Sequence, residues 1–532
     1  MEEAEELCQA KTPDEVAWEA ADLIYFALVK CASFGITLAD IQNNLEKKSL
    51  KVTRRAGDAK PKWITRRSSQ NTQNPPAIPK IFKTKSHPAV PSFQIQTHVL
   101  SKISENERCG LLRRPILQYK EISGLVEPIL REVRQRGDAA LIEFTSKFDK
   151  VDLEEVVLEA PFPEECMELS ESTRHAIDVA HDNIYRFHLA QAEAEAILEV
   201  ETCPGVVCTR FSRPIQRVGL YIPGGTAILP STALMLGIPA KVAGCEKIIF
   251  ATPPGPGGKI APEVVYVAHK VGATHIVKAG GAQAVAALAY GTISVPKVDK
   301  ICGPGNQYFT CAKMLVQNDS TAMVAIDMPA GPSEVLVIAD KSSNPAFVAS
   351  DLLSQAEHGP DSQSVLVTVG LEESKVQAIL SEVEKQAKLL PRKDIVEKSL
   401  AHSFHLQVST FAEAFAFSND YAPEHLILQL DEPNRFLEEV QNAGSVFLGH
   451  YSPESCGDYA SGTNHTLPTY GYARMYAGVS WSSFRKSITS QQLTPQGLQG
   501  LGPVVETLAR VEGLEAHARA VSIRLDELKK LN

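Results

Sequence analysis

An adjacent acid and base, Glu424 and His425, form the sharpest chemical signal in the sequence. They follow the turn residues DYAP and precede the apolar run LILQL. The proline-restricted turn should therefore deliver both side chains to the mouth of a strand, where a crevice is expected. A histidine titrates near neutral pH, and a carboxylate beside it can activate water or tune the imidazole. The alternative, a turn-capping carboxylate beside a structural histidine, is favoured by the local pattern alone.

Two helical segments carry side chains that could ligate a metal ion. In SQAEHG, Gln355 and His358 are three residues apart, so both should point to one face near the end of a helix. A single pair of this kind is more often a surface or helix-ending pair than a site. The last helix contributes Glu512 and His517, although such residues on a charged helix usually face water.

A loop rich in small and hydroxyl residues supplies further candidates. The segment SPESCGDYASGTNHTLPTYG brings Glu454, Asp458 and His465 close together in sequence. A loop of this length with so many ionisable groups in a compact enzyme is more often functional than not.

Glycine-rich turns end three predicted strands of the first half of the chain, namely YIPGGTA at 221–227, KAGGAQA at 278–284 and CGPGNQY at 302–308. In open α/β sheets the carboxyl ends of the strands form the ligand crevice, so phosphate or nucleotide binding is a reasonable hypothesis. None of the turns has the spacing G-x-G-x-x-G, and glycines occur in such turns for backbone reasons alone. The motifs leave both interpretations open.

Five acidic residues near the N-terminus could bind a divalent cation. Glu2, Glu3, Glu6, Glu19 and Asp22 spell E-E-x-x-E and then E-x-x-D on two predicted helices. Carboxylates spaced in this way on facing helices suit an oxygen-preferring ion such as Mg²⁺. Acidic helices also commonly just face solvent.

The elements that must position these residues alternate along the chain. Short apolar strands at RVGLYI, KIIFATPP, HIVKAGG and VDKICGPG are separated by helical runs, and a second series begins at EVLVIAD. This alternation predicts parallel β-α-β units and an α/β fold with tandem Rossmann-like units, at about 210–330 and 331–450. A helical extension precedes them from residue 99, and a C-terminal arm at 451–532 is expected to be loop-rich and then helical.

Composition indicates a soluble protein of several packed units. The chain has 532 residues, 44% of them hydrophobic, and its apolar runs are far shorter than a membrane span of ~20 residues. Ten scattered cysteines without a C-x-x-C pair, and a first segment without signal-peptide character, favour the cytoplasm. We expect neither a membrane nor a nucleic-acid partner.

The N-terminal region differs in composition from the rest. Residues 1–45 have helical periodicity and predict an all-α fragment, whereas 46–98 are predicted to be a flexible linker. Residues 47–85 contain twelve lysines and arginines and one acid, Asp58, within a chain of net charge -10. Because this basic stretch is rich in Pro, Ser, Asn and Gln, a solvated linker is favoured over a binding surface.

Eight strings follow one another in order between about residue 100 and residue 532, namely YIPGGTAILPSTALMLGIPAKVAGC, KAGGAQAVAALAYGT, KICGPGNQY, DMPAGPSEVLVIAD, DLLSQAEHGPDSQS, NDYAPEHL, GSVFLG and DYASGTNHTLPT. Together they resemble the L-histidinol dehydrogenase family. The resemblance implies oxidation of L-histidinol through the bound aldehyde to L-histidine, the last step of histidine biosynthesis, with two NAD and one water.

The same resemblance implies roles for individual residues. The zinc ligands, which also contact substrate, would be Gln355, His358, Asp458 and His517. His425 would be the base in both hydride transfers, and Glu424 would activate the water that adds to the aldehyde. Ser333, Glu424, Glu512 and His465 would contact substrate or line the site, and Tyr221, Gln283 and Asn306 would contact NAD. In this family the C-terminal arm crosses to the other subunit, so a homodimer with shared active sites is implied.

The acidic N-terminal spacing, followed by EAADLIYFALV, resembles the all-α phosphoribosyl-ATP pyrophosphohydrolase of the same pathway. The matching helix begins upstream in that family, so we expect a truncated and at most partly active module. The combination resembles a fungal-type multifunctional histidine-biosynthesis protein without its cyclohydrolase section, and a fragment or shortened product is therefore expected.

Two other functional classes compete with the zinc- and NAD-dependent dehydrogenase. A zinc hydrolase using Glu424 to activate water would explain the metal ligands but not the tandem nucleotide-type folds. A non-catalytic nucleotide-binding or scaffold protein would give no reason for Glu424, His425 and four ligands. We rank the three in that order.

Overall fold

The computed structural model describes residues 93–114, 119–224, 228–329 and 331–531, together with residue 20. The chain divides into two units, Met1–His87 and Pro88–Asn532. The predicted all-α module at 1–45, most of the linker and the predicted magnesium ligands lie outside the described residues, and they stay predictions. None of the helices in the described ranges combines the length and the apolar character needed to cross a membrane.

The second unit contains strands and helices that we number in chain order. The strands are β1 (Gln96–Val99), β2 (Val157–Glu159), β3 (Leu198–Cys203), β4 (Val206–Pro214), β5 (Arg217–Tyr221), β6 (Lys247–Thr252), β7 (His275–Lys278), β8 (Lys300–Cys302), β9 (Ala325–Ile326), β10 (Glu334–Ala339), β11 (Gln363–Val369), β12 (Phe404–Val408), β13 (His425–Gln429), β14 (Ser445–Leu448) and β15 (Arg485–Leu493). The α-helices are α1 (Glu105–Leu111), α2 (Tyr119–Arg136), α3 (Asp138–Asp149), α4 (Glu171–Glu193), α5 (Pro230–Ala243), α6 (Pro262–Val271), α7 (Gly281–Tyr290), α8 (Gln307–Asn318), α9 (Pro345–Ala356), α10 (Glu373–Ala387), α11 (Lys393–Leu400), α12 (Phe411–Tyr421), α13 (Glu454–Tyr459), α14 (Pro495–Val511) and α15 (Glu515–Leu531).

The first sheet confirms the first Rossmann-like unit. Its six strands lie in the order β2-β7-β6-β5-β8-β9, and all pairs are parallel except β2 with β7. Alternate residues of β6 enter two different cores, because helices cover both faces of the sheet. The sheet also takes in β2, so the unit begins earlier than the predicted residue 210.

The second sheet is entirely parallel, with the order β1-β12-β11-β10-β13-β14. Every residue of β10, β11 and β13 is buried, which explains their nearly continuous apolar runs. Strand β1 lies at its edge and pairs with β12. Residues 96–98 therefore form part of a sheet, although the predicted linker extends to residue 98.

A third, three-stranded antiparallel sheet was not predicted. Strand β15 pairs with β4 along nine residues, and β4 pairs in turn with β3. The sequence RKSITSQQL has little apolar alternation, and the arm was expected to be loop-rich and then helical. Most residues of β3 and β15 are exposed, so this sheet packs little of its surface against the rest of the chain.

A buried ion pair fixes the turn that follows β8. The Lys313 ammonium pairs with Asp327 and also donates to the carbonyls of Gly303 (2.9 Å) and Met328 (3.1 Å). The other oxygen of Asp327 accepts the N–H of Gly303 at 2.7 Å. Both charged side chains are almost inaccessible to water. If one of them were removed, water could not solvate the charge that remains.

Replacing Lys313 with Met should lower the free energy of unfolding by about 3–5 kcal/mol, because Asp327 would remain buried without its counter-charge. Urea denaturation followed by circular dichroism measures the change. The matched control is Lys385→Met, which breaks an exposed pair with Glu382 and should cost less than about 1 kcal/mol. Equal losses in the two variants would contradict the importance of the buried pair.

Candidate active site

The predicted pair lies at the amino end of the second sheet. Glu424 and His425 stand at the start of β13, and His425 is in register with Val335, the second residue of β10. The mouth of the strand is thus the amino end of this sheet, whereas ligand crevices of open α/β sheets usually lie at the carboxyl ends. The turn leads from α12 into β13, so the pair precedes the strand rather than following it.

Glu424 is buried, with 6% of its surface exposed. Its Oε2 atom accepts the backbone N–H of Glu334 at 2.8 Å and the side-chain amide of Gln355 at 3.3 Å. Burial raises the pKa of Glu424, although the charge of His425 and the hydrogen bond from the Glu334 N–H oppose the shift. The carboxylate is thus more basic than an exposed one and can accept a proton more readily.

His425 is held at both ring nitrogens. Nδ1 donates to the carbonyl of Glu334 at 3.2 Å, and Nε2 donates to Oδ1 of Asp458 at 3.2 Å. Burial alone would lower the pKa of His425, but Glu424 and Asp458 outweigh it and raise the pKa well above its usual value. Burial would raise the pKa of Asp458, but its hydrogen bond with His425 outweighs burial and lowers the pKa.

Three of the four predicted metal ligands come together in one chain. Gln355 bonds to Glu424, Asp458 bonds to His425, and His358, one turn beyond Gln355, is close enough for Asp458 to influence its pKa. Burial and the charge of His425 outweigh that influence and lower the pKa of His358, which favours the neutral imidazole that a metal ligand requires.

The predicted arm residues stand apart from this cluster. Glu512 and His517 are exposed, and their side chains form no hydrogen bond or ion pair with residues that the structure describes. Within those same ranges no three His, Cys, Asp or Glu side chains are grouped to hold a metal ion. One chain therefore offers His358, Asp458 and an amide oxygen, and a four-ligand site needs a further donor.

The loop after α13 links this cluster to the first sheet. His465 donates from Nδ1 to the Asp458 carbonyl (2.8 Å), and its Nε2 lies 3.0 Å from the hydroxyl of Thr232. Asn464 donates to the carbonyl of Met235 at 2.6 Å. Thr232 and Met235 are in the first turns of α5, which follows the carboxyl end of β5. The amino end of the second sheet thus faces the carboxyl end of the first.

The three predicted NAD-contacting residues lie at that carboxyl edge. Tyr221 ends β5, and its hydroxyl accepts the N–H of Gly281 at 3.0 Å. Gln283 is buried on α7, and Asn306 caps α8 by accepting the N–H groups of Tyr308 and Phe309. The three turns therefore lie close together. The side chains of Tyr221 and Asn306, however, form hydrogen bonds within these turns.

Steric crowding explains why a glycine is required at position 303, on this edge of the sheet. Gly303 has φ +133°, and a Cβ there would lie 2.5 Å from the carbonyl oxygen of Tyr221. The β5 and β8 turns therefore approach each other more closely than any side chain would allow.

A cavity and an unsatisfied oxygen lie near this edge of the first sheet. The cavity of about 240 Å³ lies beyond β5 and β6, between Pro223, Thr252 and Pro262. Beside the turn at Gly280, the buried Oδ2 of Asp149 has no hydrogen-bond partner, so a hydroxyl donor would satisfy it. A second cavity of about 290 Å³, near Val99 and Gly370, contains none of the predicted site residues.

Two largely parallel sheets, a glycine-lined edge and a buried acid–base cluster at their junction suit an α/β oxidoreductase. Comparison with known proteins agrees: the histidinol dehydrogenase family model matches residues 112–525. The chain therefore belongs to the histidinol dehydrogenase family. A second family model, phosphoribosyl-ATP pyrophosphohydrolase, matches residues 1–49.

Relatives of two kinds match the chain. A histidine biosynthesis trifunctional protein of Komagataella pastoris is 57% identical over 99% of this chain, which spans 61% of that relative's length. A chloroplastic histidinol dehydrogenase of Oryza sativa is 56% identical over 82% of this chain and 91% of its own. A solved structure of histidinol dehydrogenase from Elizabethkingia anophelis is 47% identical, has a TM-score of 0.77 and covers 82% of this chain and 99% of its own.

Sequence reasoning missed two residues that shape the site. Glu334 holds Glu424 and His425 through its peptide groups, and Thr232 meets His465 from the first sheet. Glu334 is an acidic residue at the start of a fully buried strand, and that position could have marked it as unusual. Its contacts with Glu424 and His425 could not be predicted, because they are made by backbone groups that every residue type has. No local pattern pointed to Thr232.

Gly444→Ala should lower oxidoreductase turnover by about 10²-fold, because the new Cβ would lie 2.5 Å from the Glu424 carbonyl and displace the turn that carries Glu424 and His425. The rate of substrate oxidation measures the loss. The matched control is Gly124→Ala on the exposed face of α2, where a Cβ meets nothing within 4 Å and activity should be unchanged. Full activity in Gly444→Ala would show that the turn tolerates displacement.

Proposed function

We propose that the chain oxidises L-histidinol through L-histidinal to L-histidine, with zinc and two NAD. Membership of the histidinol dehydrogenase family supports the substrate class. The buried contact of His425 with Glu424 and Asp458 is the observation that carries the chemistry, because the contact combines a base, a water-activating carboxylate and a metal ligand within hydrogen-bond distance. The zinc hydrolase using Glu424 and the non-catalytic scaffold are not favoured by this family membership.

Zinc would be held by Gln355, His358 and Asp458 together with His517 of the partner subunit. Bound there, it would orient the substrate nitrogens and oxygen as a Lewis acid. Its charge would also offset that of Asp458 and lower the pKa of His425, which the neighbouring carboxylates hold high. His425 could then lose its proton and act as a base.

The residues of this chain divide the reaction between them. His425 takes the hydroxyl proton of histidinol as the first hydride leaves its carbon. Glu424 then takes a proton from the water that adds to the aldehyde carbon. His425 removes a hydroxyl proton from the hydrate during the second hydride transfer. NAD supplies the hydride acceptor in both oxidations, and Tyr221, Gln283 and Asn306 would form its contacts.

Ser333, His465 and Glu512 would complete the substrate site. Ser333 directly precedes Glu334, and His465 already borders Asp458. Glu512 would come from the partner, with His517, in a homodimer whose arms are exchanged. Exposed apolar residues on the arm support this arrangement, since Val504, Leu508 and Val511 are more than half exposed in the single chain.

The N-terminal segment would be a phosphoribosyl-ATP pyrophosphohydrolase module. The family match at residues 1–49 supports this proposal, and Glu2, Glu3, Glu6, Glu19 and Asp22 would bind Mg²⁺.

We further propose a cytoplasmic location. The eight cysteines in the described residues are all unpaired, as expected in a reducing compartment.

Glu424→Gln should uncouple the two oxidations, because it removes the water-activating base while keeping the size of the side chain. With zinc and NAD, the natural protein should yield two NADH per histidinol, whereas the variant should stall after about one and turn over ~10²- to 10⁴-fold more slowly. Stopped-flow absorbance measures both quantities. The control is Glu439→Gln at an exposed position.

No NADH from the natural protein would exclude the dehydrogenase, and full turnover by Glu424→Gln would exclude its role with water.

Mixing two inactive variants should restore activity if the arms are exchanged. Dimers re-formed from equal amounts of His425→Ala and His517→Ala should regain about a quarter of the natural activity, because half the dimers would contain one intact site. The assay is NADH formation after joint refolding. Activity that stays at the level of the separate variants would place His517 in the site of its own chain.

A further inference from the structure

A buried arginine reaches the site residue Glu334 from outside the catalytic cluster. Arg114 lies just after α1, and its side chain is only 7% exposed. Its Nε and Nη2 atoms donate to the two carboxylate oxygens of Glu334 at 2.8 and 3.3 Å. Nη2 also donates to the carbonyl of Tyr421 at 2.6 Å, and the guanidinium lies 3.3 Å from the centre of the Tyr421 ring.

Further contacts fix the carboxylate of Glu334 in one orientation. Oε1 accepts the N–H of Tyr470 at 2.9 Å, and Oε2 accepts the hydroxyl of Tyr421 at 3.3 Å. The Tyr421 hydroxyl also lies 2.7 Å from Oε1 of Gln363. The Glu334 side chain is therefore held by Arg114, by α12 and by the loop at residue 470.

The peptide groups of the same residue orient both members of the catalytic pair. The Glu334 N–H is bonded to Glu424, and the Glu334 carbonyl is bonded to Nδ1 of His425. A shift of the Glu334 backbone would thus move the water-activating carboxylate and the base together.

We propose that Arg114 is a positioning residue for the oxidation: through its fork on the Glu334 carboxylate it sets the backbone that orients Glu424 and His425. Arg114 touches no reacting atom. The proposal rests on the proposed function, because it concerns the same two catalytic residues.

Arginine suits this place better than lysine. The planar guanidinium bonds both carboxylate oxygens while it stacks on Tyr421 and donates to a carbonyl. A lysine ammonium is a point charge that cannot reproduce that fixed fork. Either lysine or arginine would neutralise the charge of Glu334. Only arginine can hold both carboxylate oxygens in a fixed orientation.

Arg114→Lys should therefore lower kcat by about 10- to 100-fold, because small displacements of catalytic groups cost rates of that order. The KM values for histidinol and NAD should stay within about threefold, since the variant affects the transition state rather than binding. The matched control is Arg217→Lys. Arg217 also donates two hydrogen bonds to one carboxylate, that of Asp299, at the opposite end of the first sheet. The kcat of the Arg217→Lys variant should stay within about twofold of the natural value.

A second variant separates positioning from stability. Arg114→Met combined with Glu334→Gln removes both buried charges and leaves neither unpaired, so it should fold with a Tm close to that of the natural protein. If the ion pair acts only on stability, this double variant regains natural kcat. If it positions the pair, kcat stays about 10-fold or more below natural in protein that is fully folded.

Natural kcat in either folded Arg114 variant, or an equal loss in Arg217→Lys, would overturn the proposal. Failure of the natural protein to give two NADH per histidinol would instead overturn the proposed function. The two failures are thus distinguishable in one set of assays.

Discussion

Charge held away from water is the constraint on which the site depends. Glu424, His425 and Asp458 are all nearly buried, so each needs a partner that replaces lost hydration. The partners come from different elements: a peptide group at the start of β10, an amide on α9 and a carboxylate on α13. The site can therefore form only when these elements have docked, and its geometry is a property of the tertiary fold.

The cluster of Glu424, His425 and Asp458 lies where the amino end of the second sheet faces the carboxyl end of the first. The carboxyl ends of the first sheet are lined with glycine turns, whereas the amino end of the second sheet carries Glu424 and His425. The loop containing Asn464 and His465 forms hydrogen bonds with α5 on one side and follows Asp458 on the other. Under the proposed function, a cofactor at one edge and a substrate at the other would meet between the sheets.

The sequence predicted the strands of both sheets because buried parallel strands are written as apolar runs such as EVLVIAD. It also predicted that Glu424 and His425 act together, since they adjoin one strand. It did not predict which end of the sheet they occupy, because the expectation came from the common crevice rather than from the order of α12 and β13. Strand β15 was missed since its polar sequence is held by pairing with β4, more than 270 residues away. The roles of Arg114 and Glu334 were missed because they act through a long-range ion pair and through peptide groups.

The edge position of β1 has a consequence for synthesis. Thr97 on β1 bonds to His405 on β12, and the two residues are 308 positions apart. At a translation rate of ~5–20 residues per second, β1 leaves the ribosome roughly 15–60 s before its partner strand exists. The first sheet can close in that interval, whereas β1 must wait with unpaired backbone groups. A nascent chain thus carries an open strand while the 308 residues that separate Thr97 from His405 are synthesised.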